Sequence, residues 1–133
     1  MTRAAVAGTF DVLHDGHRAL LRRAFEVGDS VVVGITTDRM AGESRGTFVP
    51  LHIRKGELEM FLSTLGDHQV FEIDDMYGPD DVMDGVDVLV VSEETLGNGK
   101  IINERRASRG LKPLELSVVP MVRADDGSRI SAS

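Results

Sequence analysis

The chain has 133 residues, 41% of them hydrophobic, and no cysteine, which fits one domain over residues 1–133 and excludes disulfides and thiol catalysis. Its 22 acidic and 15 basic residues give a formal net charge of −7, which disfavours a nucleic-acid-binding surface and requires any anion site to gather its own positive groups. No apolar run approaches membrane-spanning length, and strand-like sequence begins too close to Met1 for a signal peptide, so we expect a cytoplasmic chain without a membrane partner.

Strand-like and helix-like segments alternate along the first half of the chain. The short apolar run at residues 4–7 predicts a strand, and a helix follows over about residues 16–27, ended by Gly28. Residues 30–35 are almost wholly apolar, as expected of a central parallel strand. Residues 36–48 are polar and contain glycine, and we interpret them as a loop beyond that strand.

The alternation continues to residue 119. Apolar residues at 58, 61, 62 and 65 predict an amphipathic helix over about residues 52–65, stopped by Gly66. The remaining elements are predicted as strands at 69–73, 86–91 and 114–119, a short helix ending near 84, and a helix at 100–109. Strands that alternate with helices form right-handed βαβ units. We therefore predict an α/β fold, a Rossmann-like domain with a five-stranded parallel sheet flanked by helices.

The loops of such a sheet indicate where a ligand binds. Ligands lie outside the carboxyl ends of the strands, at the switch point of the strand order. Residues 8–17, 36–48 and 92–98 all follow predicted strands, so we expect them to meet at that edge. Neither G-x-G-x-x-G after the first strand nor G-x-x-x-x-G-K-[ST] is present, which disfavours an NAD enzyme or a P-loop NTPase.

Residues 8–17 read Gly-Thr-Phe-Asp-Val-Leu-His-Asp-Gly-His and directly follow the first predicted strand. Glycine lets the backbone approach a ligand closely, and the new helix directs unpaired N–H groups and its positive dipole end at the turn. His14 would precede that helix and His17 would lie in its first turn, so the segment favours binding of phosphate. A turn with two structural histidines is one alternative. A zinc site is another, although it would need further ligands.

The Gly-Thr-Phe-Asp and His-x-Gly-His patterns resemble the signature of the HxGH nucleotidyltransferase superfamily. Its members transfer a nucleotidyl group from a nucleoside triphosphate to a phosphate or alcohol and release pyrophosphate. Residues 127–133, Gly-Ser-Arg-Ile-Ser-Ala-Ser, resemble the second signature, Ile-Ser-Ser-Thr-x-x-Arg, which grips the triphosphate at a helix start. Ala132 departs from it, and the family's arginine would lie beyond Ser133, so we expect the C-terminal helix to be truncated. A polar serine-rich tail is the alternative.

Further segments are similar to the archaeal-type phosphopantetheine adenylyltransferases. They are residues 34–38, 77–79, 91–95 and 102–106, the last followed by 110–114. This resemblance implies adenylyl transfer from ATP to 4′-phosphopantetheine, giving 3′-dephospho-CoA and pyrophosphate in coenzyme A biosynthesis. One alternative is a cytidylyltransferase acting on a small phosphorylated alcohol such as glycerol 3-phosphate, disfavoured because Asp-Asp-Gly-Ser-Arg at 125–129 replaces that branch's Arg-Thr-Glu-Gly. A non-catalytic nucleotide-binding module is the other.

The resemblance also implies roles for single residues. His17 would stabilise charge on the α-phosphate, and Thr9 would bond the attacking or α-phosphate, so both are predicted to be catalytic. The predicted ATP contacts are Gly8, Thr9, Phe10, His14, His17, Glu104, Arg129, Ser131 and Ser133. Thr9 and Arg45 are predicted to bind phosphopantetheine, and Mg²⁺ is expected to arrive with ATP. For Arg54, Arg105 and Arg106, solvated helix surface and a role in the site remain open.

Overall fold

The computed structural model describes residues 1–11, 13, 15–45 and 49–120, and for Ser44 and Arg45 it describes the backbone only. Ten elements follow one another in these residues: β1 (Arg3–Gly8), α1 (Asp15–Val27), β2 (Ser30–Thr36), α2 (Asp38–Arg45), α3 (Leu51–Ser63), β3 (Gln69–Ile73), α4 (Asp80–Met83), β4 (Val88–Ser92), α5 (Leu96–Ser108) and β5 (Glu115–Val119). Within this part of the chain, no helix has the length and apolar character needed to cross a bilayer.

All five strands lie parallel in one sheet, in the order β3-β2-β1-β4-β5. In its register Val6 lies opposite Val33, and Ala5 lies opposite Leu89. The chain adds β2 and β3 on one side of β1 and then β4 and β5 on the other. The strand order therefore reverses between β1 and β4, which places a switch point at their carboxyl ends. The predicted Rossmann-like parallel sheet is confirmed.

Helices cover both faces of the sheet. Since successive side chains of a strand point to opposite faces, Val6 and Val33 join the cluster under α1 and α3, whereas Ala5 and Val32 join the cluster under α5. Burial on both faces explains why β2 reads as an almost unbroken apolar run.

The structure corrects two boundaries in the segments predicted to be loops. Residues 36–48 contain α2, whose first turn is capped because the Met40 N–H donates to Thr37 Oγ1 at 3.3 Å. The helix predicted from residue 100 already begins at Leu96. Two glycines hide its periodicity, and one of them, Gly99, allows close packing, since a Cβ there would lie 3.0 Å from a methyl group of Leu116.

Candidate active site at the carboxyl edge of the sheet

A cavity of about 190 Å³ lies at the carboxyl edge of the sheet, beside the switch point. The ends of β1, β2, β3 and β4 contribute to its wall, together with the first turns of α2 and α5 and the loop before α4. Its lining includes Gly8, Thr9, Thr36, Met40, Ile73, Met76, Tyr77, Met83, Val91, Thr95, Asn98, Gly99 and Ile102. Three separate loops thus meet at this edge, as the sequence predicts. Thr9 and Thr36 provide hydroxyls at the ends of β1 and β2, and Thr95 and Asn98 are polar residues at the start of α5. The wall near Met76 and Ile102 is largely apolar.

The turn after β1 is fixed by packing. Phe10 is 1% exposed and has a φ of 52°, in the left-handed region that side chains rarely adopt. A Cβ at Gly8 would lie 3.2 Å from the Phe10 ring, which explains the glycine. The burial of Phe10 holds the turn in this conformation, so the backbone that faces the cavity is preorganised.

His17 lies in the first turn of α1, where the sequence predicts it. It is buried, including its Nε2 atom. Its ring packs edge-on against Phe10, with the ring centroids 5.2 Å apart and the planes at 64°. The structure therefore joins His17, Phe10, Gly8 and Thr9 in one packed unit at the start of α1.

Several predicted site residues lie outside the described residues. These are His14, Arg129, Ser131 and Ser133, together with the side chain of Arg45. Glu104 is described, and it lies exposed on α5, whereas Asn98, Gly99 and Ile102 are the α5 residues that line the cavity. The structure does not bring Glu104 to the cavity wall, and its contact with ATP stays a prediction.

Arg54 proves to be fully buried, and it bonds the ends of two strands. Its Nη1 donates to the Thr9 carbonyl at 3.0 Å and to the Thr36 carbonyl at 2.7 Å. Its Nη2 donates to Asp38 Oδ1 at 3.0 Å, and its Nε donates to the Val49 carbonyl. One guanidinium thus fixes the ends of β1 and β2 and the start of α2. The sequence feature that indicates the burial of Arg54 is its spacing, because residues 54, 58 and 62 form the buried stripe of α3.

Two buried threonines adjoin Arg54 in the cavity wall. Arg54 Nη1 donates to Thr36 Oγ1 at 3.2 Å, and Thr36 Oγ1 donates to Thr9 Oγ1 at 3.1 Å. Thr9 is 6% exposed and Thr36 is 5% exposed. The hydroxyl of the predicted catalytic Thr9 is therefore held by a hydrogen-bonded neighbour.

The wall of the cavity opposite the β1 turn is braced by arginines of α5. The Arg105 guanidinium lies 4.8 Å from the centre of the Tyr77 ring and donates to Asp80 Oδ1 at 3.1 Å. Arg109 donates to Asp84 Oδ1 at 2.9 Å, and this hydrogen bond holds the pKa of Asp84 below its ordinary value. The bracing fixes α4 and the Tyr77 turn against α5.

Arg106 is a structural residue. It is 7% exposed, and it donates to the carbonyls of Lys112 at 2.9 Å and Met83 at 3.1 Å. The interpretation of Arg106 as solvated helix surface is wrong, because its donors tie α5 to α4 and to the loop before β5.

Comparison with known proteins agrees with this geometry. Residues 5–133 match the family described as cytidylyltransferase-like. The phosphopantetheine adenylyltransferase of Methanothermobacter thermautotrophicus is 39% identical over 130 residues, which cover 97% of this chain and 79% of that protein. The chain belongs to the phosphopantetheine adenylyltransferase family.

Other members of this adenylyltransferase family are equally similar. The phosphopantetheine adenylyltransferase of Thermococcus kodakarensis is 38% identical over 135 residues, which cover 98% of this chain and 82% of that protein. Among solved structures, a protein with unknown function from Archaeoglobus fulgidus has a TM-score of 0.81 at 28% identity, with 89% of each chain covered. The family resemblance and the fold predicted from the sequence are confirmed.

Proposed function

We propose that the chain transfers the adenylyl group of ATP to 4′-phosphopantetheine and produces 3′-dephospho-CoA and pyrophosphate in coenzyme A biosynthesis. One observation carries the proposal: the cavity joins the packed turn at Gly8 and Thr9 to a largely apolar wall. Relatives named phosphopantetheine adenylyltransferase, at 38–39% identity, support this choice of substrates.

The two ends of the cavity suit the two parts of the acceptor. The turn at Gly8 and Thr9 and the N-terminus of α1 provide N–H groups and a positive dipole for phosphate oxygens. The pantetheine arm is long and carries no charge, and it would lie along the wall formed by Met76, Tyr77 and Ile102. ATP would place its α-phosphate between this arm and the turn.

The reaction needs no covalent intermediate. A phosphate monoester has a second pKa near about 6, so the acceptor is largely a dianion at pH 7 and attacks without a general base. One of its oxygens bonds to the α-phosphorus of ATP while the bond from that phosphorus to the oxygen bridging to the β-phosphate breaks. The electron pair leaves with pyrophosphate.

Positioning and charge stabilisation then supply the catalysis. His17 would stabilise the charge that develops on the α-phosphate, and Thr9 would donate to the attacking or α-phosphate. Thr9 lies on the packed turn after β1, and His17 packs from α1 against Phe10 of that turn, so neither needs to reorganise during the reaction.

We further propose that Mg²⁺ enters bound to the phosphates of ATP, as part of the substrate. Among the described residues, no group of three or more His, Cys, Asp or Glu side chains is placed to hold a metal. A cytoplasmic location goes with these substrates, because ATP and the intermediates of coenzyme A biosynthesis are found there.

A matrix of donors and acceptors tests the function. ATP or CTP is combined with 4′-phosphopantetheine or glycerol 3-phosphate, and pyrophosphate release is followed while mass spectrometry identifies the product. We expect dephospho-CoA from ATP and phosphopantetheine. Turnover only with CTP and glycerol 3-phosphate would show a cytidylyltransferase. Binding of ATP by calorimetry, without turnover of any acceptor, would show a non-catalytic nucleotide-binding module.

A further inference from the structure

Arg54, Thr36 and Thr9 form a directed hydrogen-bond chain that ends at the cavity. Arg54 Nη1 lies 3.2 Å from Thr36 Oγ1, which lies 3.1 Å from Thr9 Oγ1. Arg54 has no exposed surface, and both threonines line the cavity. This hydrogen-bond chain therefore links the buried guanidinium of Arg54 to a hydroxyl beside the predicted phosphate site.

The chemistry of the three groups sets the direction of each bond. A guanidinium has only N–H donors, so Thr36 Oγ1 must accept from Arg54. A hydroxyl has one hydrogen, and Thr36 directs its hydrogen at Thr9 Oγ1. Thr9 Oγ1 is thereby an acceptor toward Thr36, and its own hydrogen must point elsewhere. Because Thr9 lines the cavity, that hydrogen is placed to be donated to a bound ligand.

The charge of Arg54 strengthens this donor. Hydrogen bonds in a chain polarise one another, and the effect is larger in a site of low dielectric constant. Asp38 Oδ1 accepts from Nη2 at 3.0 Å, whereas the threonine acceptors all bond Nη1. The cation thus acts on the ligand through two hydroxyls without touching it, and the arrangement favours an anionic oxygen as the final acceptor.

We propose that Thr36 is a positioning residue of the adenylyltransferase reaction, which with Arg54 directs the Thr9 hydroxyl hydrogen into the cavity as a donor to a substrate phosphate oxygen. The identity of that phosphate rests on the proposed function. The donor-to-acceptor direction from Arg54 through Thr36 to Thr9 follows from the hydrogen bonds alone.

Thr36→Val tests the hydroxyl without removing the anchoring of the strands. Valine keeps the shape of threonine, and Arg54 retains the carbonyls of Thr9 at 3.0 Å and Thr36 at 2.7 Å. We expect Thr36→Val to lower kcat/KM about three- to tenfold, the size of one neutral hydrogen bond. Thr36→Ser restores the hydroxyl and should restore activity. Thr36→Ala replaces the valine variant if that protein unfolds.

A double-mutant cycle separates positioning from general damage. If Thr36 acts through Thr9, Thr36→Val costs about three- to tenfold in the wild type but less than about twofold in a Thr9→Val background. Thr64→Val is the matched control, because it removes an exposed hydroxyl that donates to the Phe61 carbonyl and does not line the cavity. We expect its kcat/KM to equal that of the wild type.

The outcomes distinguish this inference from the proposed function. Equal losses from Thr36→Val in both backgrounds, or the same loss in Thr64→Val, would overturn the positioning role while the function stands. If the wild type binds ATP without turnover, the function fails and the cycle is measured in the ATP Kd by calorimetry. If the effects of Thr36→Val and Thr9→Val on the ATP Kd are coupled, the inference is supported. If the two effects are additive, it is overturned. A wild type that neither binds nor turns over ATP would refute both.

Discussion

Arg54 is the residue on which the geometry of the site depends most. Burying a guanidinium removes it from water at a cost of several kcal/mol, which only good hydrogen bonds offset. Arg54 meets this requirement with three backbone carbonyls and the carboxylate of Asp38, from four separate positions in the chain. Its fork of fixed N–H donors suits that set of acceptors.

Arg54→Lys should therefore destabilise the fold although the charge is kept. A lysine ammonium is a compact charge with three donors and cannot reach all four acceptors. We expect the free energy of unfolding to fall by about 2–4 kcal/mol, measured by urea unfolding. Arg18→Lys, in an exposed pair with Asp15, is the control and should change stability by less than about 0.5 kcal/mol. Equal stability of the two variants would contradict the role of Arg54.

His17→Gln should lower kcat more than it weakens ATP binding. A group that meets charge only in the transition state lowers kcat and kcat/KM together. Loss of one such preorganised donor costs about 10²–10³ in rate. Initial-rate kinetics give kcat, and calorimetry gives the ATP Kd. His52→Gln, at an exposed position of α3, should leave both unchanged. A folded His17→Gln protein with near-normal kcat would refute the assignment.

At the scale of elements, α4 and the Tyr77 turn form a wall that α5 braces. The turn is ordered from within, since the N–H groups of Tyr77 and Gly78 both donate to Asp75 Oδ1 at 2.9 Å. From outside, Arg105 covers the ring of Tyr77 and bonds Asp80. The predicted position of the pantetheine arm therefore depends on a contact between two elements.

Arg105→Met should raise the KM for phosphopantetheine about two- to fivefold, because a cation–π contact at a partly exposed site contributes about 0.5–1 kcal/mol. The KM for ATP should change little, which initial-rate kinetics with each substrate varied in turn would show. Arg109→Met is the matched control, since Arg109 bonds Asp84 and lies within 3.6 Å of Asp80. Equal effects of the two variants would indicate general loosening of α4 rather than a specific brace on Tyr77.

The junction of α3 and β3 contains a titratable contact. His68 Nδ1 lies 2.9 Å from the Gly66 carbonyl, and Nε2 lies 2.8 Å from Glu59 Oε2. The Gly66 carbonyl and the Glu59 carboxylate are both acceptors, so the protonated ring, which carries hydrogen on both nitrogens, satisfies both contacts. Desolvation lowers the pKa of His68, but the Gly66 carbonyl and the Glu59 carboxylate outweigh it and raise the pKa above its ordinary value of 6.5.

The stability that His68 contributes is therefore fully present below its unfolded pKa and is lost as pH rises through its folded pKa. We expect the wild type to lose stability relative to His68→Gln as the pH rises above the ordinary histidine pKa of about 6.5 and through the raised pKa of the folded state. Urea midpoints of both proteins at several pH values measure this difference. A difference in urea midpoint between the wild type and His68→Gln that stays constant as the pH rises would contradict this role of the contact.

Local sequence patterns predict the helices and strands of this protein better than they predict the contacts between those elements. The apolar runs of β1, β2 and β3 and the leucine stripe of α3 are visible in the sequence, because burial on one or both faces imposes them. The start of α5 was hidden because Gly97 and Gly99 weaken helical periodicity, although Gly99 serves packing against Leu116. The burial of Arg54 could not be read from its residue type, since its acceptors are carbonyls of strands distant in sequence.

For the whole molecule, the sheet is the frame of the site. The ends of β1, β2, β3 and β4 all line the cavity. Thr9 of the packed turn after β1 lines it as well, and His17 packs against Phe10 of that turn. The motif at residues 8–17 predicts a ligand at this edge, because a parallel sheet with a switch point leaves one natural place for a ligand. With a net charge of −7 the overall field does not attract phosphates, so we expect them to bind through local groups, namely the N-terminus of α1 and the hydrogen-bond chain from Arg54.

Because the cavity is built from strand ends, a nucleotide that binds it should stabilise the whole fold. A ligand present at a hundred times its Kd raises the free energy of unfolding by about 2.7 kcal/mol when it binds only the folded state. We expect ATP with Mg²⁺ to raise the thermal midpoint in a concentration-dependent manner and CTP at the same concentration to raise it less. Thr64→Val, which keeps the directed hydrogen-bond chain, should respond like the wild type. A larger rise with CTP than with ATP would favour the cytidylyltransferase alternative, because the preference reflects which base the cavity accepts before any chemistry occurs.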